Sequence, residues 1–345
     1  MFRLRRRTAL LAGAGLASLS AFPRAANAQS SELMDLVLAT PGPGSSVSTI
    51  PELAVKIGAD RAEGVSLRLK FVGGGGIAIR EVLNGNAHFG VFGATAAMNE
   101  NLREPRLLAL SAVENRAPLS LMVRSGLAGQ VKRVQDLRGR VVGIHSNSLS
   151  TTTNGQQFLN LLLRQHGLPA DSVKLVAAGQ SWDTQSSALR GQVVDAVVSE
   201  EPFGLRMEQE GLAYPLVRLG LADSREPLPG EGFLRGTLIA QRSLVEAQAQ
   251  AAQRMVKVIQ RTLAWRKTHS AQETVTALGL SGAEASAFMA MLKQYPNQFS
   301  EDGRFSEAQI QQTDAFFRES AGASPQAMGY RFNNMIDARW AGRKP

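Results

Sequence analysis

The chain has 345 residues, 44% of them apolar, and a formal net charge of +9. A chain of this length and apolar content buries a large core, and at this length one core usually divides into two. The charges are scattered rather than gathered in blocks, and three Tyr and three Trp offer few stacking platforms, which argues against a nucleic-acid surface. The sequence contains no cysteine, which excludes disulfides, thiolate metal sites, a thiol nucleophile and a lipid-anchoring cysteine.

The first 28 residues have the pattern of a secretory signal peptide. Arg5-Arg6-Arg7 gives a positive start, an apolar run spans residues 10–19, and Ala26-Asn27-Ala28 provides a small-residue cleavage site. The apolar run is shorter than the roughly 20 residues that cross a bilayer. Arg6-Arg7 also fits the core of a twin-arginine signal, which leaves the export route open. We expect cleavage near Ala28 and a periplasmic mature protein, whose net charge falls from +9 to +4 because five arginines and no acids leave with the signal.

Short β-branched apolar runs alternate with amphipathic stretches along the remaining chain, which is the pattern of a mostly parallel sheet with helical crossovers. The predicted fold class is therefore α/β. In the first half the predicted elements are, in chain order, a strand at 34–39, a helix at 49–60, a strand at 66–72, a helix from the glycine run 73–76 to 84–85, and strands at 88–92 and 106–113.

A second α/β unit is predicted after the apolar run 119–123. Its predicted elements are a strand entry at 134–144, a Ser/Thr-rich loop at 146–153, a helix around Phe158, a strand at 173–177, a helix that ends near Gly191 and a buried strand at 193–198. An extended run then precedes the last predicted helices; these segments are 237–240, followed by 243–267, 271–278, 283–295 and 306–320. Two such units predict two lobes.

Several short motifs occur in a characteristic order. A glycine-rich turn at 72–76 and the segment 83–91 come first, and Asp136-Leu137-Arg138-Gly139-Arg140-Val141-Val142-Gly143 and Gly191-Gln192-Val193-Val194-Asp195-Ala196 follow. With these motifs the chain resembles the nitrate/sulfonate/taurine-binding family of ABC transporter solute-binding proteins, also called the thiamine-precursor-synthase-like family. His88 stands where an Asp is common in that family.

The resemblance implies a periplasmic-binding-protein-like (type II) clamp, in which two lobes, each a mostly parallel sheet flanked by helices, hold a ligand between them. We expect residues 31–121 and 240–345 in the first lobe and 122–239 in the second, with two hinge crossings near 119–124 and 236–240. We therefore expect a binding protein and not an enzyme. We expect it to bind a small organic molecule or anion, to deliver it to an ABC permease in the inner membrane, and to work as a monomer without cofactor, metal or nucleic acid.

The loops that follow strand ends are where we expect the ligand. In open α/β sheets, ligands bind beyond the carboxyl ends of the strands, where helix starts present backbone N–H groups. The family uses the corresponding loops. The predicted ligand-binding residues are Pro41, Gly42, Ser45, Gly74, Gly75, Gly93, Ala94 and Thr95 in the first lobe, and His145, Ser146, Ser150, Thr151, Thr152, Gln180, Ser181, Trp182, Glu200 and Glu201 in the second.

Each kind of candidate also has a purely structural interpretation. The hydroxyls of Ser150, Thr151 and Thr152 either bind an oxygen-bearing ligand or only cap the following helix. Trp182 either lies flat against a planar ligand or packs in the core. His145 either donates to the ligand or is structural, and the glycine run either approaches a ligand closely or forms a plain tight turn.

Glu200 and Glu201 directly follow a buried strand. Successive side chains of a strand point to opposite sides, so one of the two is expected to face the cleft and the other to be solvated. A carboxylate in the cleft repels a bare anion such as nitrate or a sulfonate and favours an amine or a hydrogen-bonding heterocycle. The ligand stays open among a thiamine-related pyrimidine, a small aromatic acid, a sulfonate and an amine.

Two other functions stay open on the sequence alone. The same clamp is a sensor when it reports its ligand to a membrane partner, and the same fold serves biosynthetic enzymes, among them a fungal thiamine-pyrimidine synthase with a Cys-rich motif. That motif is absent from this sequence, as are G-x-S-x-G and H-E-x-x-H. We therefore expect no catalytic residues.

Overall fold

The described part of the chain contains ten strands. The computed structural model describes residues 32–145, 152–221, 228–321 and 324–344, so the predicted signal peptide lies outside the described residues. The strands are β1 (Met34–Pro41), β2 (Val65–Val72), β3 (Phe89–Gly93), β4 (Leu107–Ala112), β5 (Leu119–Arg124), β6 (Val141–Ile144), β7 (Lys174–Ala177), β8 (Ala196–Glu200), β9 (Ala213–Arg218) and β10 (Gly236–Gln241).

Helices connect these strands and continue beyond the last of them. Within the same ranges the α-helices are α1 (Thr49–Lys56), α2 (Ala59–Ala62), α3 (Gly75–Leu83), α4 (Ala94–Asn101), α5 (Asn154–Gln165), α6 (Trp182–Arg190), α7 (Phe203–Gln209), α8 (Arg242–Ala247), α9 (Ala249–Thr268), α10 (Ala271–Leu278), α11 (Gly282–Gln294), α12 (Glu307–Ser320) and α13 (Pro325–Gly329). None of these helices is long and apolar enough to cross a membrane.

The strands form two mixed sheets, in the orders β2-β1-β3-β10-β4 and β7-β6-β8-β5-β9. In the first sheet β1 pairs in parallel with β2 and β3, whereas β10 runs antiparallel to β3 and β4. In the second sheet β6 pairs in parallel with β7 and β8, whereas β5 runs antiparallel to β8 and β9. Each sheet therefore contains one reversed strand, and that strand is the one that has just arrived from the other sheet.

Two segments carry the chain between the sheets. Residues 113–118 lead from β4 to β5, and residues 219–235 lead from β9 back to β10. The structure thus places all of β5 in the second sheet and all of β10 in the first. The predicted lobe limits, 121/122 and 239/240, cut through these two strands, because the sequence shows a strand but not the sheet that it joins.

Side-chain alternation gives each sheet a core on both faces. In the first sheet Leu38 packs with α9 on one face, while its neighbour Ala39 packs with α3 on the other. In the second sheet Leu121 packs with α5, while Met122 packs with α7. Helices on both faces of a mostly parallel sheet are what the alternating sequence pattern predicts, so the predicted α/β class is confirmed.

Local capping chemistry sets the starts of two C-terminal helices. Ser270 and Glu273 form a capping box at the start of α10, and Ser306 and Gln309 form one at the start of α12. Both helices begin within one residue of the predicted position. Other predictions need correction: the predicted helix 49–60 is divided into α1 and α2, and the predicted helix 243–267 is divided into α8 and α9.

Candidate ligand-binding site

The cleft edges of the two sheets meet at one small cavity. Five of the predicted residues line it: Pro41, Gly75, Gly93, His145 and Gln180. The cavity measures about 10 Å³, which is room for roughly one water molecule. The loops that the strand-end rule selects are therefore brought together, and in this structure the edges are nearly closed on each other.

A buried cluster of charges connects the two edges. The guanidinium of Arg235, which directly precedes β10, donates through Nη1 to Glu114 at 2.9 Å and to Ser46 Oγ at 2.9 Å. Its Nη2 forms an ion pair with Glu200 at the end of β8. Glu200 also accepts from Gln180 Nε2 at 2.6 Å. The ion pair between Arg235 and Glu200 thus joins a group on the first sheet to one on the second.

Glu201 has a different environment from its neighbour. Its carboxylate accepts from Arg218 Nε at 2.9 Å and from the N–H of Leu205 at 2.7 Å, within the second sheet and the start of α7. Burial raises the pKa of Glu201, and the nearby charge of Arg218 opposes that rise. Both Glu200 and Glu201 are fully buried, so the expectation that one of them is solvated is wrong.

His145 is a neutral side chain with one group left unsatisfied. Burial, with the charge of Arg235 as a second cause, lowers the pKa of His145 to about 3. Its Nε2 accepts from the N–H of Gly155 at 2.9 Å, so the single proton of the neutral ring is on Nδ1. That Nδ1–H is buried and has no hydrogen-bond partner among the described residues. Burying an unpaired donor is costly, and this donor belongs to a residue that lines the cavity.

Hydroxyl and amide groups make a second connection between the edges. Thr95 in α4 accepts from Asn154 Nδ2 at 2.7 Å and donates to Gln157 Oε1 at 2.5 Å, and both partners belong to α5. Gly93 lies beside this contact, and a Cβ at that position would overlap the side-chain oxygen of Asn154. Thr95 and Gly93 therefore serve the closure of the cleft.

The loop after β1 approaches the second sheet through its backbone. The N–H of Ser46 donates to the carbonyl oxygen of Glu201 at 3.2 Å. A Cβ at Gly42 would overlap the carbonyl oxygen of Gln180. Ser45 is buried and its hydroxyl bonds to Ser48 within the same loop, so Ser45 shapes the loop from inside.

Several other predicted residues have structural contacts. Thr153, which accepts from the N–H of Gln156, caps α5, and the predicted capping residue Thr152 lies one position before the cap. Ser181 caps α6 in the same way. The ring of Trp182 lies under the guanidinium of Arg206, 3.9 Å from the ring centroid to Cζ. Two more predicted residues, Gly74 and Ala94, lie at the starts of α3 and α4, and Ser146, Ser150 and Thr151 lie outside the described residues.

Sequence reasoning missed Arg235, Glu114 and Asn154. The strand-end rule looks only at carboxyl ends of parallel strands, whereas Arg235 precedes the amino end of a reversed strand. Because β10 is antiparallel to β3, Gly236 pairs with Gly93, and the start of β10 lies at the same edge as the end of β3. An arginine directly before an apolar strand that returns from the other lobe is the signal that would have identified it.

The cluster offers hydrogen-bond donors, acceptors and charge. Across the described ranges there is no group of three or more His, Cys, Asp or Glu side chains that could hold a metal ion. Two sheets, two crossings and a cleft between the strand ends define the class of periplasmic-binding-protein folds.

A family model described as NMT1/THI5 like matches residues 61–273. The chain belongs to this family, which confirms the resemblance inferred from the motifs. No curated protein matches the sequence.

Solved structures with the same fold cover nearly all of the chain. A protein of Bordetella bronchiseptica RB50 is 20% identical, with a TM-score of 0.78 over 90% of this chain and 96% of that one. The alkanesulfonate-binding protein SsuA of Xanthomonas axonopodis pv. citri, bound to MOPS, is 14% identical, with a TM-score of 0.67 over 89% and 99%.

Binding proteins and an enzyme share this fold. Other similar structures include sulfonate- and nitrate-binding periplasmic proteins. The desulfurization enzyme DszB is 18% identical, with a TM-score of 0.53 over 87% of this chain and 98% of that one. Most of these neighbours are binding proteins, and at such identities the likeness shows the fold.

Proposed function

We propose that this protein is the solute-binding component of an ABC-type importer, which captures a small molecule in the cleft and delivers it to a membrane permease. The observation that carries the proposal is the buried polar cluster between the sheets, in which His145 Nδ1–H is unpaired among the described residues. Loops from both sheets supply that cluster, as a clamp requires. The signal-like first 28 residues support a periplasmic location.

The formal charge of the cluster favours an uncharged or positively charged ligand. Glu114 and Glu200 outnumber Arg235 by one charge, and His145 is neutral near pH 7 because its pKa is about 3. The neighbouring loop 146–151 has no ionisable side chain in its sequence. An anion would add to this excess of negative charge. An N–H group of a ligand, in contrast, can donate a charge-assisted hydrogen bond to a carboxylate. We therefore propose an amine or a nitrogen heterocycle that also presents an acceptor to His145.

The clamp works by opening and closing about the two crossings. A cavity of about 10 Å³ does not admit an organic molecule, so the ligand enters while Glu200 and Arg235 are apart. Closure then brings the two edges together around the ligand and excludes water. The contacts that join the edges without ligand reduce the apparent affinity, because the closed empty state competes with the bound one.

A thermal-shift screen of the mature chain, from residue 29, tests this function. The panel contains amines, nitrogen heterocycles, aromatic acids, alkanesulfonates and nitrate. A ligand at about 100 times its dissociation constant stabilises the folded state by about 2.7 kcal/mol, and we expect this shift for one amine or heterocycle class. His145→Gln, which keeps an acceptor for the N–H of Gly155, should weaken that shift.

Three outcomes count against the proposal in different ways. Stabilisation by alkanesulfonates alone would leave the binding function standing and contradict the charge argument. Chemical conversion of the recovered compound would replace binding by catalysis. If no compound of the panel raised the melting temperature, the proposed ligand class would be contradicted.

A further inference from the structure

A second and larger cavity lies beside the C-terminal helices. It measures about 430 Å³, which is within the range of small-molecule sites. Its walls come from α9, from the end of α11 and from the loop 295–301. No residue lines both this cavity and the cleft, so the two are separate places in the fold.

Basic side chains dominate the charge of this second cavity. Arg266, Lys267 and Lys344 line it, against one carboxylate, Glu301. Lys267 pairs with Glu301 at 3.6 Å. Once Lys267 and Glu301 are set aside as a pair, the described lining keeps two positive charges, Arg266 and Lys344, and no further carboxylate. Such an excess attracts an anion.

Among these three basic residues, Arg266 gives the strongest indication of an anion site. It is half-buried and donates from Nη1 to the backbone oxygen of His269 at 2.8 Å. Its Nε is buried and has no hydrogen-bond partner within the described ranges. Burial lowers the pKa of Arg266 with no carboxylate to oppose it, whereas Arg218 and Arg235 each have a glutamate beside them. A desolvated guanidinium without a carboxylate is satisfied by a bound one.

The cavity also touches the hinge. Asn115, which lines it, belongs to the first crossing and donates from Nδ2 to the carbonyl oxygen of Phe299 at 2.9 Å. Tyr295, also in the lining, donates from its hydroxyl to the carbonyl oxygen of Leu219, the first residue of the second crossing, at 3.1 Å. The wall of this cavity is thus bonded to both segments that join the sheets.

We propose that this cavity is a second ligand site, which binds a small organic dicarboxylate. One carboxylate pairs with the guanidinium of Arg266, and the other is held by the remaining positive charge at Lys344. The site is independent of the cleft ligand and of the importer function.

Isothermal titration of the full mature chain at low ionic strength tests the site. The probes are succinate, glutarate and phthalate, with succinamide as an uncharged control of the same shape as succinate. We expect at least one dicarboxylate to bind and succinamide not to bind. Arg266→Met removes the charge but keeps an unbranched side chain, and the lost charge-assisted bonds should weaken binding by about tenfold or more.

Two control variants make the result specific. Lys257→Met removes an exposed positive charge of the same helix outside the cavity lining, and should bind like the wild type. Glu200→Gln alters the cleft and should also leave dicarboxylate binding unchanged. If Arg266→Met does not fold, Lys344→Met takes its place.

The proposal is overturned by any of three results. The first is the absence of binding by all three dicarboxylates. The second is equal binding by the wild type and the cavity variant. The third is a change of dicarboxylate binding in Glu200→Gln, which would place the anion in the cleft.

Discussion

Glu200 and Glu201 show how two identical neighbours acquire different roles. Glu200 bonds to Gln180 and Arg235 at the cleft, while Glu201 bonds to Arg218 beneath it. Both are buried and need a compensating positive charge. Arg218 pairs with Glu201, whereas Glu200 shares Arg235 with Glu114. Alternation along a strand explains why the two side chains separate, but only their partners show which one lies at the cleft.

His145 makes stability depend on pH, and this dependence can be measured. Its pKa is about 3 in the folded chain against an ordinary value of 6.5, so the unfolded chain takes up the proton first. The contribution to stability is present above about pH 6.5 and is lost as the pH falls towards 3. Between pH 7 and pH 5 the wild type should lose about 2 kcal/mol more than His145→Gln.

Urea denaturation of both proteins at the two pH values checks this expectation. The comparison cancels the titration of the carboxylates, which the two chains share. An equal loss in both proteins would mean that His145 is not desolvated in the folded state.

At the scale of elements, α12 joins the two sheets. Phe316 packs in the core of the second sheet and stacks on Phe233 of the second crossing, 3.9 Å between ring centroids. The next residue, Phe317, packs in the core of the first sheet. In addition, Thr313 accepts from the N–H of Leu234 at 3.0 Å. One helix therefore contributes adjacent side chains to both cores.

Truncation of the Phe316 side chain tests whether α12 holds the two sheets together. Phe316→Ala should lower the free energy of unfolding by about 3–5 kcal/mol, the usual cost of a buried Phe-to-Ala change. Phe317→Ala should lower the free energy of unfolding by a similar amount, although the cavity that it creates lies in the core of the first sheet. Gln311→Ala, on the exposed side of α12, should change stability by less than about 0.5 kcal/mol.

Urea titration followed by circular dichroism gives these values. A cost below about 1 kcal/mol for Phe316→Ala would contradict tight packing of α12 against the second sheet.

At the scale of the whole molecule, closure depends on how near the two edges approach. Gly93 has an ordinary φ of −64°, so an alanine fits its backbone. The obstacle is the side chain of Asn154 on the other edge, which a Cβ would overlap. Gly93 is therefore required by the approach of the edges and not by a turn.

Gly93→Ala should hold the cleft open while the fold is kept. A compact chain of this size has a radius of gyration of about 20 Å, and we expect the variant to exceed the wild type by about 1 Å in solution scattering. Gly129→Ala, whose Cβ would meet nothing within 4 Å, is the matched control. Adding Asn154→Ala to Gly93→Ala should restore the smaller radius. Identical scattering from wild type and Gly93→Ala would contradict a closure limited by this contact.

The sequence predicts best those strands and helices that have a strong local pattern. Strand β1 and helix α10 were placed within two residues, because alternation and a capping box act over short range. Strand β9 was missed because Pro215 interrupts its pattern. The structure places β9 at the edge of the second sheet, where a proline is tolerated. Helix α7 was missed because seven residues give little periodicity.

The sequence by itself determined the α/β class, the family and several of the loops that meet at the cavity. Strand period, helix period and strand-end loops are properties of short segments. Only the tertiary structure decided that Arg235 pairs with Glu200. The same holds for His145, which is neutral and has one donor unpaired among the described residues. Those features arise when two crossings return distant strands in reversed direction to the same edge. The burial and the pairing of these side chains depend on residues far apart in the chain. No local sequence pattern encodes such contacts.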